Sequence, residues 1–108
     1  MTVVWSLYAK DQRAAILRTI AQELSREDAS RWNGKFREAV SRLVDFPGLG
    51  GYIPARCFAE VPDQSERLRQ MQCNPYRIIY EVGDDQIRIL SIKHGRMMVA
   101  LDDARWHD

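Results

Sequence analysis

Strong charge bias and long apolar runs are both missing from this sequence of 108 residues. The formal net charge is only +1, so the overall charge does not indicate a surface for nucleic acid or membranes. No apolar run approaches the roughly 20 residues that a membrane-spanning helix needs. No basic segment precedes an apolar one near Met1, so we expect no signal peptide and a cytoplasmic location.

Cysteine and histidine are also scarce. Cys57 and Cys73 form no CxxC motif, and 2 histidines do not complete a familiar zinc-binding pattern. We therefore expect free thiols, no metal and no cofactor. Size statistics for globular proteins predict a single domain over residues 1–108.

The clearest secondary-structure pattern lies in residues 74–96. Alternating side chains in residues 76–82 predict a strand, because successive strand residues point to opposite faces. Gly83-Asp84-Asp85 predicts a turn, and residues 86–94 predict a second strand. That strand ends at His94-Gly95-Arg96, which places a ring, a flexible residue and a cation side by side.

The first half of the chain has helical periodicity. Residues 3–7 alternate as a short strand, and apolar residues then recur at helical spacing from residue 9. Ser25 predicts the start of a second helix, which Pro47 ends. Residues 49–63 predict a loop, residues 66–72 a strand, and residues 97–108 an acidic C-terminal tail. The order β-α-α-β-β-β predicts an α+β fold, a small antiparallel sheet with the N-terminal helical hairpin packed on one face.

Several short segments, taken in order, resemble the RelE/ParE superfamily of bacterial type II toxins, and its ParE branch in particular. They are Val4-Trp5-Ser6, Leu68-Arg69-Gln70-Met71, Tyr76-Arg77-Ile78-Ile79-Tyr80 and His94-Gly95-Arg96. The resemblance implies a ParD-like antitoxin partner and a hetero-oligomeric toxin-antitoxin complex. It implies growth arrest either by inhibition of DNA gyrase, as in ParE-like members, or by ribosome-dependent mRNA cleavage, as in RelE-like members. Gln70 and Met97 depart from the pattern, which usually has an acidic residue and a second arginine there.

The residues are compatible with both mechanisms of growth arrest. They are also compatible with a third function, a toxin-like fold that is not toxic and only binds a partner. Cleaving RNA without a metal needs cations on the phosphate and groups that transfer protons. Arg69, Arg77 and His94 are the candidates for that chemistry. Residues 49–65 contain no lysine, however, and Gly95 stands where a tyrosine would help. This favours a toxin that is not an enzyme.

We expect a gyrase-binding toxin to contact its target through residues of the last strands and their ends. They are Arg69, Arg77, His94, Arg96 and Met97, with Arg96 foremost. The alternative for the two arginines of the strands is a cross-strand pair with Glu66 or Glu81. The alternative for His94 is a structural role at the end of a strand.

We expect the antitoxin to bind where the helical hairpin meets the sheet, because apolar side chains are left partly exposed there. The candidates are Trp5, Trp32, Phe36 and Met71. Such a groove suits an amphipathic helix or an added strand from a disordered segment. The alternative, for Trp32 and Phe36 above all, is an ordinary place in the core.

Overall fold

The computed structural model describes residues 1–108 and contains two helices and five strands. In chain order these are β1 (Thr2–Trp5), α1 (Leu7–Glu23), α2 (Arg26–Asp45), β2 (Gly51–Tyr52), β3 (Leu68–Cys73), β4 (Tyr76–Val82) and β5 (Gln86–His94). The predicted α+β class is confirmed. The short strand β2 lies inside the segment that was predicted to be a loop.

Serine side chains begin both helices. Ser6 Oγ accepts a hydrogen bond from the Ala9 amide at 3.0 Å, and Ser25 Oγ accepts one from the Asp28 amide at 3.0 Å. Each bond satisfies an amide that has no partner within the helix. Ser6 Oγ also donates to the carbonyl oxygen of Leu90 at 3.0 Å, which fixes the start of α1 against β5.

The sheet has the strand order β1-β5-β4-β3-β2. Strands β2 to β5 pair antiparallel, but β1 pairs parallel to β5. The expectation of a wholly antiparallel sheet is therefore wrong at this one pair. After the helical hairpin and strands β2 to β4, the chain enters β5 in the same direction as β1. No local pattern in β1 predicts this parallel pairing.

Both faces of the sheet carry a hydrophobic core, because β4 has buried apolar side chains on both sides. Ile78 and Tyr80 face the helices and belong to a core with Phe36 and Leu43 of α2. Ile79 faces the other way, into a second core. That core also contains Ile53, Phe58, Leu68, Leu90 and Val99. Residues 53–58 and the C-terminal segment thus cover part of the face that the helices leave free.

The C-terminal segment, residues 97–108, is acidic as predicted, but one of its carboxylates is buried. Asp103 is only 1% exposed. Its carboxylate lies 3.0 Å from Lys93 Nζ and accepts hydrogen bonds from the Tyr8 hydroxyl at 3.2 Å and the Ala100 amide at 2.9 Å. The segment is therefore fastened to both β5 and α1. Neither helix of the protein has the length and apolar composition needed to cross a membrane.

Candidate functional site

A cleft of about 570 Å³ lies on the sheet face opposite the helices, where the β3–β4 turn meets the end of β5. We call it the cationic cleft. It is lined by Arg56, Cys57, Gln70, Gln72, Asn74, Pro75, Arg77, Gly95, Arg96, Met97 and Met98. It thus brings together three of the predicted target-binding residues, Arg77, Arg96 and Met97.

Arg77 holds the wall of the cleft in place. Its side chain is buried, with 7% exposed. Nη1 donates to Gln70 Oε1 at 2.9 Å, and Nη2 donates to the carbonyl oxygen of Met97. The predicted alternative, a pair with Glu81, is wrong, because Glu81 lies 3.3 Å from Arg88 instead. The buried Nε of Arg77 has no hydrogen-bond partner.

Residues 95–98 form an exposed loop at the edge of the cleft. Gly95 has φ +55°, which glycine adopts without a steric cost, and its amide donates to the Pro75 carbonyl at 2.6 Å. At the other end, the Val99 amide donates to the Cys57 carbonyl at 2.8 Å. Between these anchors Met97 and Met98 are 58% and 50% exposed. The fold therefore fixes this loop in place while leaving its side chains accessible.

Arg69 lies apart from the cleft. In the sheet register it pairs with Tyr80, which faces the helices, whereas Arg77 faces the other side. Arg69 Nη1 donates to the Gly50 carbonyl at 2.7 Å, and its guanidinium lies 4.2 Å from the Tyr52 ring. This arginine stabilises the connection to β2, and the predicted pair with Glu66 does not form.

His94 lies apart from both arginines. It pairs with Tyr76, and the two rings meet edge to face at 5.4 Å. Tyr76 and Tyr80 are four residues apart in β4, so His94 is separated from Arg69 by roughly 13 Å along the sheet. The predicted nuclease set of Arg69, Arg77 and His94 is therefore not brought together.

The chemistry of the cationic cleft favours binding over proton transfer. Arg56, Arg77 and Arg96 line it, but no lysine, histidine, tyrosine or carboxylate does. Arginine stays protonated in proteins and donates hydrogen bonds in a fork that fits carboxylates and phosphates. Nowhere in the protein do three His, Cys, Asp or Glu side chains form a metal-binding group.

Two of the predicted antitoxin-binding residues are buried. Phe36 is 0% and Met71 7% exposed, because α2 packs directly on this face of the sheet. The expectation that they are partly exposed is therefore wrong. Trp32 is half-buried and packs against Phe36 and Tyr76, with ring centroids 5.8 and 5.4 Å away. Burial raises the pKa of Tyr76.

Trp5 is half-buried at the β1 edge of the sheet. The guanidinium of Arg13 lies 4.9 Å from the centre of its ring. Trp5 is thus the predicted antitoxin contact that lies at an open edge of the fold.

The fold and the 95–98 loop can be compared with known proteins. The sequence model of the ParE toxin of type II toxin-antitoxin systems (parDE) matches residues 3–99. The chain belongs to the ParE toxin family. The match to ParE runs from β1 through the 95–98 loop and ends at Val99.

A solved structure has the same fold as this ParE toxin. It is a chain of the chromosomal ParDE toxin-antitoxin system from P. aeruginosa, with a TM-score of 0.68 and 23% sequence identity. The alignment covers 88% of this chain and 96% of the other. At this identity the likeness shows the fold alone. No curated protein sequence matches the chain.

The sequence did not lead us to expect Arg56 and Gln70 in the cationic cleft of this ParE toxin. Arg56 lies in a segment that was predicted to be a loop, and it reaches the cleft because Phe58 pairs with Val99 beside the sheet. Phe58 and Val99 lie far apart in the sequence, so no local pattern predicts their contact. The side chain of Gln70 points to the same face as Arg77, which the two-residue period of a strand does predict.

Proposed function

We propose that this ParE toxin arrests growth by binding DNA gyrase through the cationic cleft and the 95–98 loop, and that a ParD-like antitoxin neutralises it. The family supplies gyrase as the expected target. The observation that carries the location is the loop itself, which is held at both ends and exposes Arg96, Met97 and Met98. The proposal places the chain in the cytoplasm, in a hetero-oligomeric complex with its antitoxin.

The chemistry of the loop fits protein recognition. Arginine is enriched among the residues that dominate binding energy at interfaces, and methionine adapts its shape to a partner. Arg96 is exposed and forms no salt bridge, so its charge is available to an acidic or phosphate-bearing surface. We infer that Arg96 makes the principal contact, while Arg77 holds the loop for it.

RNA cleavage has less support. A metal-independent ribonuclease needs a base and an acid beside the cations that hold the phosphate. The cationic cleft has the cations, but His94 ends β5 on the other face of the sheet, where its ring meets Tyr76. These placements support a toxin that binds its target without being an enzyme.

A supercoiling assay with purified gyrase tests the target. We expect micromolar toxin to inhibit supercoiling and to produce gyrase-linked DNA breaks. Arg96→Glu should weaken inhibition roughly tenfold to hundredfold, since it reverses a charge at the proposed contact. Arg18→Glu is the matched control, because Arg18 is an exposed cation on α1, away from the cleft. If the wild-type chain caused no inhibition and no DNA breaks, the proposal would be contradicted.

A translation extract separates the alternative functions. We expect mRNA to remain intact when the toxin is added. Codon-positioned cuts that His94→Gln abolishes would establish a ribonuclease instead. Overexpression without growth arrest would support a fold that only binds a partner.

Co-expression with the product of the adjoining gene tests the antitoxin. We expect a stable complex that co-purifies and restores growth, and a chain that is poorly soluble when expressed alone. A well-behaved monomer that forms no complex with that product would contradict this part of the proposal.

A further inference from the structure

The wall of the cationic cleft contains a free thiol, that of Cys57. This residue ends a short helical turn at residues 55–57 and is half-buried. Its amide donates to the Pro54 carbonyl at 2.9 Å, and its carbonyl accepts from the Val99 amide at 2.8 Å. The backbone therefore holds the thiol at a fixed place in the wall, beside the loop of residues 95–98.

Three arginines line the cleft together with this thiol: Arg56, Arg77 and Arg96. None of them forms a salt bridge, and no carboxylate of the chain lines the cleft. A cleft lined by charges of one sign raises the local concentration of small ions of the opposite sign. A small molecule that carries carboxylates is therefore drawn toward Cys57.

Arg77 gives a second indication of a ligand from outside the chain. Its side chain is buried, and its two terminal nitrogens have acceptors within the chain, but its buried Nε has none. A buried N–H without an acceptor is destabilising, and such groups are rare in folded proteins. An oxygen of an anion bound in the cleft would be the acceptor that the chain itself does not supply.

The cleft is also large enough for a small organic anion. Its volume of about 570 Å³ lies within the range of about 300–1,000 Å³ that is usual for small-molecule sites. The guanidinium groups around it match carboxylates in geometry as well as in charge. Size, charge and the unpaired donor thus indicate the same class of ligand.

Cys73, the second cysteine, lies in different surroundings. It packs on the helix side of the sheet, in a smaller pocket of about 270 Å³ that includes Lys35, Glu38 and Arg42. Burial raises the pKa of Cys73, while Lys35 opposes the shift and Glu38 adds to it. Because the thiolate is the reactive form of cysteine, this raised pKa makes Cys73 a slow internal reference for Cys57.

We propose that Cys57 is a modification site for small disulfides that carry carboxylates. The thiol first releases its proton to water. The thiolate then attacks one sulfur of the disulfide, which is the oxidant, and a new S–S bond forms as the old one breaks. The other half leaves as a thiolate with the electron pair. The carboxylates of the bound half lie against the cleft arginines, and an excess of a small thiol reverses the reaction.

The reaction does not depend on the proposed function, but its consequence rests on it. The bound half fills the cleft beside the 95–98 loop and neutralises positive charge that we assign to the target contact. Modification should therefore lower the inhibition of gyrase, and a reductant should restore it. The cleft would in this way make the ParE toxin sensitive to the redox state of its surroundings.

Mass spectrometry of the folded chain treated with oxidised glutathione tests the site. This probe is a disulfide whose two halves each carry a net negative charge. We expect Cys57 to react at least about tenfold faster than Cys73. Cys57→Ser should abolish the fast reaction, and Cys73→Ser should retain it. Equal rates at the two cysteines, or a faster reaction at Cys73, would overturn the proposal.

A neutral disulfide separates recognition of charge from simple accessibility of the thiol. In the Cys73→Ser chain, the rate with oxidised glutathione is divided by the rate with hydroxyethyl disulfide. The same ratio, measured with a small neutral thiol in solution, corrects for the intrinsic reactivity of the two reagents. The corrected ratio should be at least about ten at low salt and should fall as salt screens the arginines. A corrected ratio near one would overturn the proposal.

Two arginine variants test whether the cleft charges are responsible. Arg96→Gln should lower the corrected ratio several-fold, because it removes a charge from the cleft. Arg42→Gln removes the same charge from the pocket of Cys73, and it should leave the ratio for Cys57 within about twofold of the unchanged chain. Equal ratios for the two variants, with circular dichroism showing both to be folded, would overturn the anion site.

The failure of this inference differs from the failure of the proposed function. If the unmodified chain inhibits gyrase but Cys57 does not react, only this inference fails. If Cys57 reacts as expected but the unmodified chain does not inhibit gyrase, the proposed function fails and the modification site stands. If the modified chain inhibits gyrase as strongly as the unmodified chain, the regulatory consequence is wrong.

Discussion

The cationic cleft and the β1 edge of the sheet both carry arginines, but the arginines differ in their surroundings. In the cleft, Arg77 is buried and its hydrogen bonds go to Gln70 and Met97 of its own chain. At the β1 edge of the sheet, Arg13 also donates to its own chain, to Asn33 Oδ1, whereas Arg37 is exposed and forms no salt bridge. The same residue type therefore supports the local structure in both regions, so residue type alone does not assign a partner to either. The proposal made above is that the cleft with its loop contacts the target.

Removing the buried carboxylate of the C-terminal segment should have the largest effect. Asp103→Ala leaves Lys93, which is 13% exposed in its side chain, without a partner. Breaking a buried ion pair in this way costs about 3–5 kcal/mol of unfolding free energy. We expect chemical denaturation to show that loss, and gyrase inhibition to fall because the segment beside the cleft is no longer fastened.

Asp102→Ala is the matched control for that experiment. Asp102 pairs with Arg105 at 2.7 Å, but their side chains are 61% and 65% exposed. An exposed pair contributes at most about 1 kcal/mol, so this variant should remain close to the wild type. Equal losses for the two aspartates would show that the segment is not held through Asp103.

Arg77→Lys tests whether the cleft arginine positions the 95–98 loop. Lysine keeps the charge but lacks the fork that reaches both Gln70 and Met97. We expect a loss of up to about 3 kcal/mol in stability and weaker gyrase inhibition. Affinity for the antitoxin should be unchanged, since Arg77 lies on the opposite face of the sheet from Trp5 and the helices. A parallel loss of antitoxin binding would contradict the separation of the two regions.

Tyr80→Phe tests a feature that belongs to neither surface. The Tyr80 hydroxyl accepts from the Gly50 amide at 2.8 Å and donates to the Pro47 carbonyl at 2.9 Å. Losing both bonds should cost about 2 kcal/mol. The folded variant should bind gyrase and the antitoxin with unchanged affinity. A selective loss of affinity for one of these two partners would show that the connection to β2 takes part in binding.

The same tyrosine predicts a dependence on pH. Burial raises the pKa of Tyr80, although the hydrogen bond from Gly50 and the charge of Arg69 oppose the shift. A raised folded-state pKa stabilises the fold below the unfolded value of about 10, and that contribution is lost as pH rises through the folded value. Stability measured above pH 10 should therefore fall less steeply in Tyr80→Phe than in the wild type.

The sequence predicted the fold where local patterns decide it. Tyr76 and Ile78 alternate with Arg77 and Ile79, and the strand formed as predicted. Serine caps and Pro47 likewise marked the helices. The parallel pairing of β1 was not predictable, because it depends on how many times the chain reverses before β5.

The candidate surfaces were only partly predictable. Arg96 and Met97 were expected as target contacts, and their place on an exposed loop supports that expectation. Asp103 belongs to a segment whose composition indicates a solvated tail, yet contacts with Tyr8 and Lys93 bury it. The thiol in the cationic cleft comes from a distant loop segment, and only the folded chain brings it to the arginines of the cleft.

The most direct test measures one variant from each region against gyrase. Arg96→Glu and Arg37→Glu would each be titrated against purified gyrase, with the wild-type chain as reference. We predict that Arg96→Glu loses gyrase inhibition, whereas Arg37→Glu still inhibits gyrase. If both variants lost inhibition equally while remaining folded, or if neither lost it, the cleft would not be the target contact and the account would be wrong.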